Sequence, residues 1–167
     1  MRLASGPFST AFERIEVIEI PKDLWKLIVA YVEKDYQYEH CGIMGGNPKT
    51  REVLQVTYAG NVVQENKERR YVMNPVDIIQ AEKKFSEKGL ENLGYYHSHP
   101  DHPAAPSETD RVNAWPGYSY VILSVMKGSV GKATSWVLNE KTQQFEEETI
   151  DVIASPPLGV NSAKQSR

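Results

Sequence analysis

The order of periodicities in this chain predicts an α+β domain, a mixed and largely antiparallel sheet with helices packed on its faces. Three observations predict it. Two stretches, 21–33 and 74–89, carry apolar residues at helical spacing. From Ser119 onward the chain breaks into three strand-length runs separated by short turns. A chain of 167 residues is the size of one domain with one core.

Residues 1–13 hold Gly, Pro, Ser and Thr and read as a flexible segment. Residues 14–20, with Ile15, Val17, Ile18 and Ile20, read as a first strand. Pro21 opens a helix to about Glu33, with Leu24, Leu27, Ile28 and Tyr31 on one face. A loop, 35–38, leads to Glu39, and 41–44 is a short buried strand closed by Gly45-Gly46. Residues 51–59 follow as its hairpin partner, 61–67 as a polar loop and 69–73 as another strand. Asn74-Pro75 is a helix start, an asparagine cap with proline in the first turn, and Gly89 ends that helix after Ile78, Ala81 and Phe85.

Residues 92–98 form a strand, 101–106 a proline-rich loop, and 107–114 a short helix broken by Pro116-Gly117. Residues 119–126, 131–139 and 144–152 form an antiparallel run, and 154–167 is expected to be a disordered tail. The folded domain is thus expected over 14–153.

Chemistry concentrates in His97-Ser98-His99-Pro100 and in Ser107-Glu108-Thr109-Asp110. Histidines at i and i+2 of a strand point to one side. Three of the four histidines, His97, His99 and His102, fall within six residues, and Asp110 follows His99 by eleven. Two imidazoles and one carboxylate suit a catalytic zinc site with one open position. Taken alone, Ser107 and Asp110 read as a helix cap, and the two readings are compatible.

This pattern resembles the JAMM (MPN+ or Mov34) zinc metallopeptidases: His-Ser-His-Pro, a proline-rich loop, then Ser-x-x-Asp. An upstream glutamate before a Cys-Gly pair is matched by Glu39-His40-Cys41-Gly42. The likeness covers about residues 15–150, and Tyr71-Val72-Met73-Asn74-Pro75 with the short stretch from Asp110 to Tyr120 resembles the short bacterial branch. It implies a JAMM/MPN, cytidine-deaminase-like architecture and one zinc ion per chain held by His97, His99 and Asp110. It also implies Glu39 as general base and Ser107 as donor to the oxyanion. Without the likeness, Glu39 reads as a surface glutamate beside a strand.

The implied substrate is a ubiquitin-like or sulfur-carrier protein, cut at the peptide or isopeptide bond after its C-terminal Gly-Gly. An extended tail of that kind could pair with an exposed strand edge near the metal. The short Asp110–Tyr120 connection implies that the long second insertion gripping ubiquitin chains in eukaryotic relatives is absent. Two other classes remain open: a non-catalytic protein-binding scaffold, which would lack the ligand set, and a zinc amidohydrolase of a small molecule, whose usual Cys-x-x-Cys pair is missing.

Other residues read more plainly. Ser98 alternates away from His97 and His99 into a supporting or core position, and His40 away from Glu39. His102 is a loop histidine, Cys41 a small buried hydrophobe, and Lys67-Glu68-Arg69-Arg70 a solvated turn. A net charge of −3 argues against a nucleic-acid partner. One cysteine excludes an intrachain disulfide and suits the cytoplasm, and no apolar run fits a membrane span or signal peptide.

Overall fold

The computed structural model describes residues 17–157. Segment 1–13, the start of the first expected strand (14–16), and the tail beyond Pro157 lie outside the described residues. The element order is β1 (Val17–Pro21), α1 (Lys22–Glu33), β2 (Cys41–Asn47), β3 (Glu52–Ala59), α2 (Pro75–Glu87), β4 (Glu91–Pro100), α3 (Glu108–Asn113), β5 (Ser119–Met126), β6 (Ser129–Leu138) and β7 (Phe145–Ile153).

The fold class differs from the expected α+β arrangement of a sheet layered with helices. The seven strands close into a mixed barrel in the order β1-β3-β2-β4-β5-β6-β7, with few helices beside it. Closure depends on pairings that periodicity cannot reveal. β1 runs parallel to β7, from Val17↔Thr149 to Pro21↔Ile153, and touches β3 in parallel at Glu19↔Glu52. Each joins segments far apart in the chain, so no local pattern announces it.

The barrel interior collects Ile18, Ile20, Met44, Val53, Tyr96 and Leu123, all at or near zero exposure, and α1 adds Ile28 and Val32 to the same cluster. Leu27, expected on that face, is half exposed instead. Pro21 both ends β1 and stands at the N-cap of α1, whose first turn is met by Ser155: its Oγ accepts from the Asp23 N–H and donates to Oδ1.

The outer face of β2 and β4 is covered by α2 through Cys41, Ile43, Ala59, Ala81 and Phe85. The Asn74 carboxamide accepts from Val76 N–H and Gly89 (φ +69°) follows the end of α2, as the cap pattern predicts. Gly45 and Gly46 do not close β2. They carry it on to Asn47 through a bulge, because Cβ atoms there would stand 2.5 Å from the Phe85 ring and 2.0 Å from the Glu52 carbonyl oxygen.

The expected strand at 69–73 is not formed. Only a bridge, Asn61↔Met73, joins it to the chain leaving β3. Beyond that bridge and a bond from Val62 N–H to the Val72 carbonyl, its backbone groups go to a side chain. Asn61 Nδ2 donates to the Arg70 carbonyl, and Asn61 Oδ1 accepts from Val72 N–H. Residues 60–73 thus form an arm laid over the outer face. No helix among the described residues is long and apolar enough to cross a membrane.

Candidate metal centre

The site is built where β4 ends. β4 and β5 are parallel, so the chain between them must cross over, and that crossover carries Ser107 and Asp110 back beside the strand end. The pair starts at Gly94↔Ser119, where a Cβ on Gly94 would lie 2.0 Å from the Ser119 carbonyl oxygen. Only glycine permits that approach. Alternation along β4 then sends Tyr96 to the interior and His97 and His99 outward.

His97 Nε2 lies 3.0 Å from His99 Nε2 and 3.3 Å from Asp110 Oδ1. His99 Nε2 lies 3.9 Å from Asp110 Oδ2. These three side chains form a group that could hold a metal ion. Ligand atoms around a tetrahedral zinc, at 2.0–2.1 Å from it, stand about 3.3 Å apart, so the triangle is close to the size the ion requires. The protonation states agree. Burial, partly opposed by Asp110, holds the His97 imidazole down at about 4, so it is neutral at pH 7 with a lone pair to give.

The two imidazoles are positioned differently. His99 Nδ1 donates to the Pro103 carbonyl at 2.8 Å, which leaves Nε2 as the lone-pair nitrogen facing Asp110. The 101–106 loop is itself tied to the barrel: Ser124 Oγ donates to the His102 carbonyl and Thr134 Oγ1 to the Ala104 carbonyl, each at 2.6 Å. His97 Nδ1 is buried without a hydrogen-bond partner among the described residues, and its ring is oriented by stacking on Tyr71, centroids 4.4 Å apart.

Ser107 caps α3 in a full capping box. Its Oγ accepts from Asp110 N–H at 3.1 Å, and its N–H and hydroxyl both donate to Asp110 Oδ2 at 2.6 Å. The carboxylate is therefore fixed with Oδ1 turned to His97. Ser98 is fully buried, and its Oγ accepts from His40 N–H while Ser98 N–H donates to the His40 carbonyl, anchoring the residue after Glu39.

Glu39 is buried at 6% exposure, beside Asn61, whose Nδ2 donates to its carbonyl. Burial first, and Asp110 second, push its carboxyl up to about 8. It shares a cavity of about 570 Å³ with His99, Ser107 and Asp110, walled by the arm on one side and α3 on the other. β4 has neighbours on both sides, so the strand edge expected to receive an extended tail is not offered by the strand that carries the histidines. Residues 68–73 of the arm line the cavity beside it. Asn61 and the Pro103 carbonyl were not singled out by the sequence, since an asparagine in a polar loop and a backbone oxygen carry no pattern; Tyr71 entered only within the Tyr71–Pro75 likeness, without a role against His97.

The family described as prokaryotic homologs of the JAB domain matches residues 21–139. The chain belongs to that family. Among its relatives is a desampylase of Haloferax volcanii, 36% identical over 52% of this chain and 62% of the relative, so the match spans under two thirds of that protein's length. A probable TtuB-protein conjugate cleaving protease of Thermus thermophilus is 32% identical over 64% of this chain and 69% of its own. A solved protein from Desulfitobacterium hafniense superposes with TM-score 0.73 at 26% identity, covering 84% of this chain and 95% of the other. Glu39, His99, Ser107 and Asp110 line one cavity, and His97 stands beside His99 and Asp110.

Proposed function

We propose that this protein is a zinc-dependent hydrolase of ubiquitin-like or sulfur-carrier protein conjugates, cutting after a C-terminal Gly-Gly. The observation that carries it is the donor triangle of His97, His99 and Asp110, which opens through His99 and Asp110 onto the cavity of the buried Glu39 carboxyl. The names of the two relatives, a desampylase and a conjugate-cleaving protease, support the substrate class.

His97, His99 and Asp110 would hold the ion. When bound, zinc supplies a Lewis acid and lowers the pKa of the attacking water to about 7. Glu39 accepts the proton of that water and returns it to the departing amine. Its neighbourhood of Asp110 and low-dielectric wall keeps the carboxyl ready to hold a proton between those two moments. The hydroxyl proton of Ser107 rests on Asp110 Oδ2, and the carbonyl oxygen gaining charge competes for it. The tail of the carrier passes between the arm and α3, where glycines meet the fewest side chains.

A ubiquitin-like protein extended by one residue beyond Gly-Gly is the test. Mass spectrometry is expected to show a single cut directly after the second glycine, suppressed when the penultimate glycine is made bulky. Cuts scattered through unfolded casein, without preference for the Gly-Gly junction, would refute the deconjugating reading.

A further inference from the structure

Two guanidiniums have no part in the proposed hydrolysis. Arg69 and Arg70 both line the cavity that holds His99, Asp110 and Glu39, and neither side chain has a hydrogen bond or ion pair among the described residues. Elsewhere the protein pairs such groups: Arg111 is tied to Glu108, and Arg51 to Glu148. Glu68 lies on the same wall, and Glu39 and Asp110 are the other carboxyls of the cavity, yet none of the three is ion-paired to Arg69 or Arg70 among the described residues.

Their backbone is held in place. Arg69 N–H donates to the Asn66 carbonyl, Val62 N–H to the Val72 carbonyl, and Asn74 N–H to the Gly60 carbonyl. The same Asn61 Nδ2 that donates to the Arg70 carbonyl also donates to the Glu39 carbonyl, each at 3.1 Å. The backbones of Arg70 and the proposed base are therefore tethered to one amide group, and both arginines, exposed to solvent, line the cavity that holds Glu39.

We propose that Arg69 and Arg70 clamp the α-carboxylate of the amino acid released beyond the scissile bond. In a terminal residue that carboxylate is joined to the departing amine through a single carbon. An anion-binding group beside the base is therefore where it must fall. A guanidinium meets a carboxylate through two parallel N–H donors, a geometry lysine lacks. The chemistry balances without a co-reactant: water adds across the amide, the carrier keeps a terminal glycine carboxylate, and the free amino acid leaves with its amine protonated. The inference rests on the proposed hydrolysis and narrows it, favouring a single terminal residue over an isopeptide-linked lysine chain.

The probe is a ubiquitin-fold protein ending in Gly-Gly-Ala, prepared as the free acid and as the C-terminal amide, with the zinc-loaded wild-type protein. The acid is expected to be favoured roughly ten- to a hundredfold in kcat/KM, through KM. Arg69→Ala with Arg70→Ala should cut both substrates at the rate of the amide with unchanged zinc content, and Arg→Lys at both positions should restore part of the preference. Equal KM for acid and amide in the wild type, with turnover intact, overturns the clamp and leaves the hydrolase. No cut in either substrate by zinc-loaded protein overturns the proposed function, and the clamp with it.

Discussion

Two clusters of buried polar side chains sit on this barrel, and only one of them contains its own cation. In the first, Glu148 (7% exposed) accepts from Ser135 Oγ at 2.7 Å and faces Arg51 Nη2 at 3.7 Å, while Arg51 also donates to Ser119 Oγ. That guanidinium neutralises the carboxylate and braces β5, β6 and β7 from the β2–β3 turn. In the second, Glu39 and Asp110 lie beside the imidazoles of His97 and His99, with no lysine or arginine paired to either carboxyl among the described residues. A buried carboxylate without a cation is expensive, and the rise of Glu39 to about 8 records that cost. A divalent ion at the triad would supply the missing charge and draw the Glu39 carboxyl down again. The difference between the clusters is that one carries its own countercharge and the other, among the described residues, does not.

Substitutions in each cluster separate the two roles. The largest effect is expected from Glu39→Gln, which keeps the size and removes the proton acceptor: turnover should fall by roughly 10²–10⁴, with zinc content and melting temperature near wild type. Activity within a few-fold of wild type would return Glu39 to a structural role. Ser107→Ala comes next. Losing the cap should cost about 1 kcal/mol in a denaturant titration. A further drop in kcat of roughly 10²–10³ marks the hydroxyl as an oxyanion donor. Unaltered kcat would confine Ser107 to holding Asp110. The smallest effect on activity is expected from Glu148→Gln. It should lower stability by about 1–3 kcal/mol, since Arg51 is left half-buried without its charge partner, yet leave kcat and zinc content unchanged. A loss of zinc there would dissolve the distinction between the clusters.

The second cluster was far more legible in the sequence than the first. His97 and His99 share a face by strand alternation, and Ser107 with Asp110 forms a capping pattern over three residues, so local rules alone indicate that these side chains can meet. The structure brings them together by a parallel crossover whose turn chemistry is written in 101–118. The Arg51–Glu148 brace joins residues nearly a hundred positions apart and follows from barrel closure, which rests on β1 pairing with β7. No window of the sequence contains both partners. The same limit hid the arm: 69–73 has strand-forming residues, but Asn61 takes up its backbone groups before any ladder can.

The metal content of the purified protein tests the central claim most directly. Protein prepared without added metal should carry close to one zinc per chain by elemental analysis, and chelation should lower its melting temperature along with its activity. His99→Ala should lose the ion, while Glu148→Gln keeps it. A His99→Ala protein that retains a full equivalent of zinc would contradict the assignment of His97, His99 and Asp110 as the metal centre.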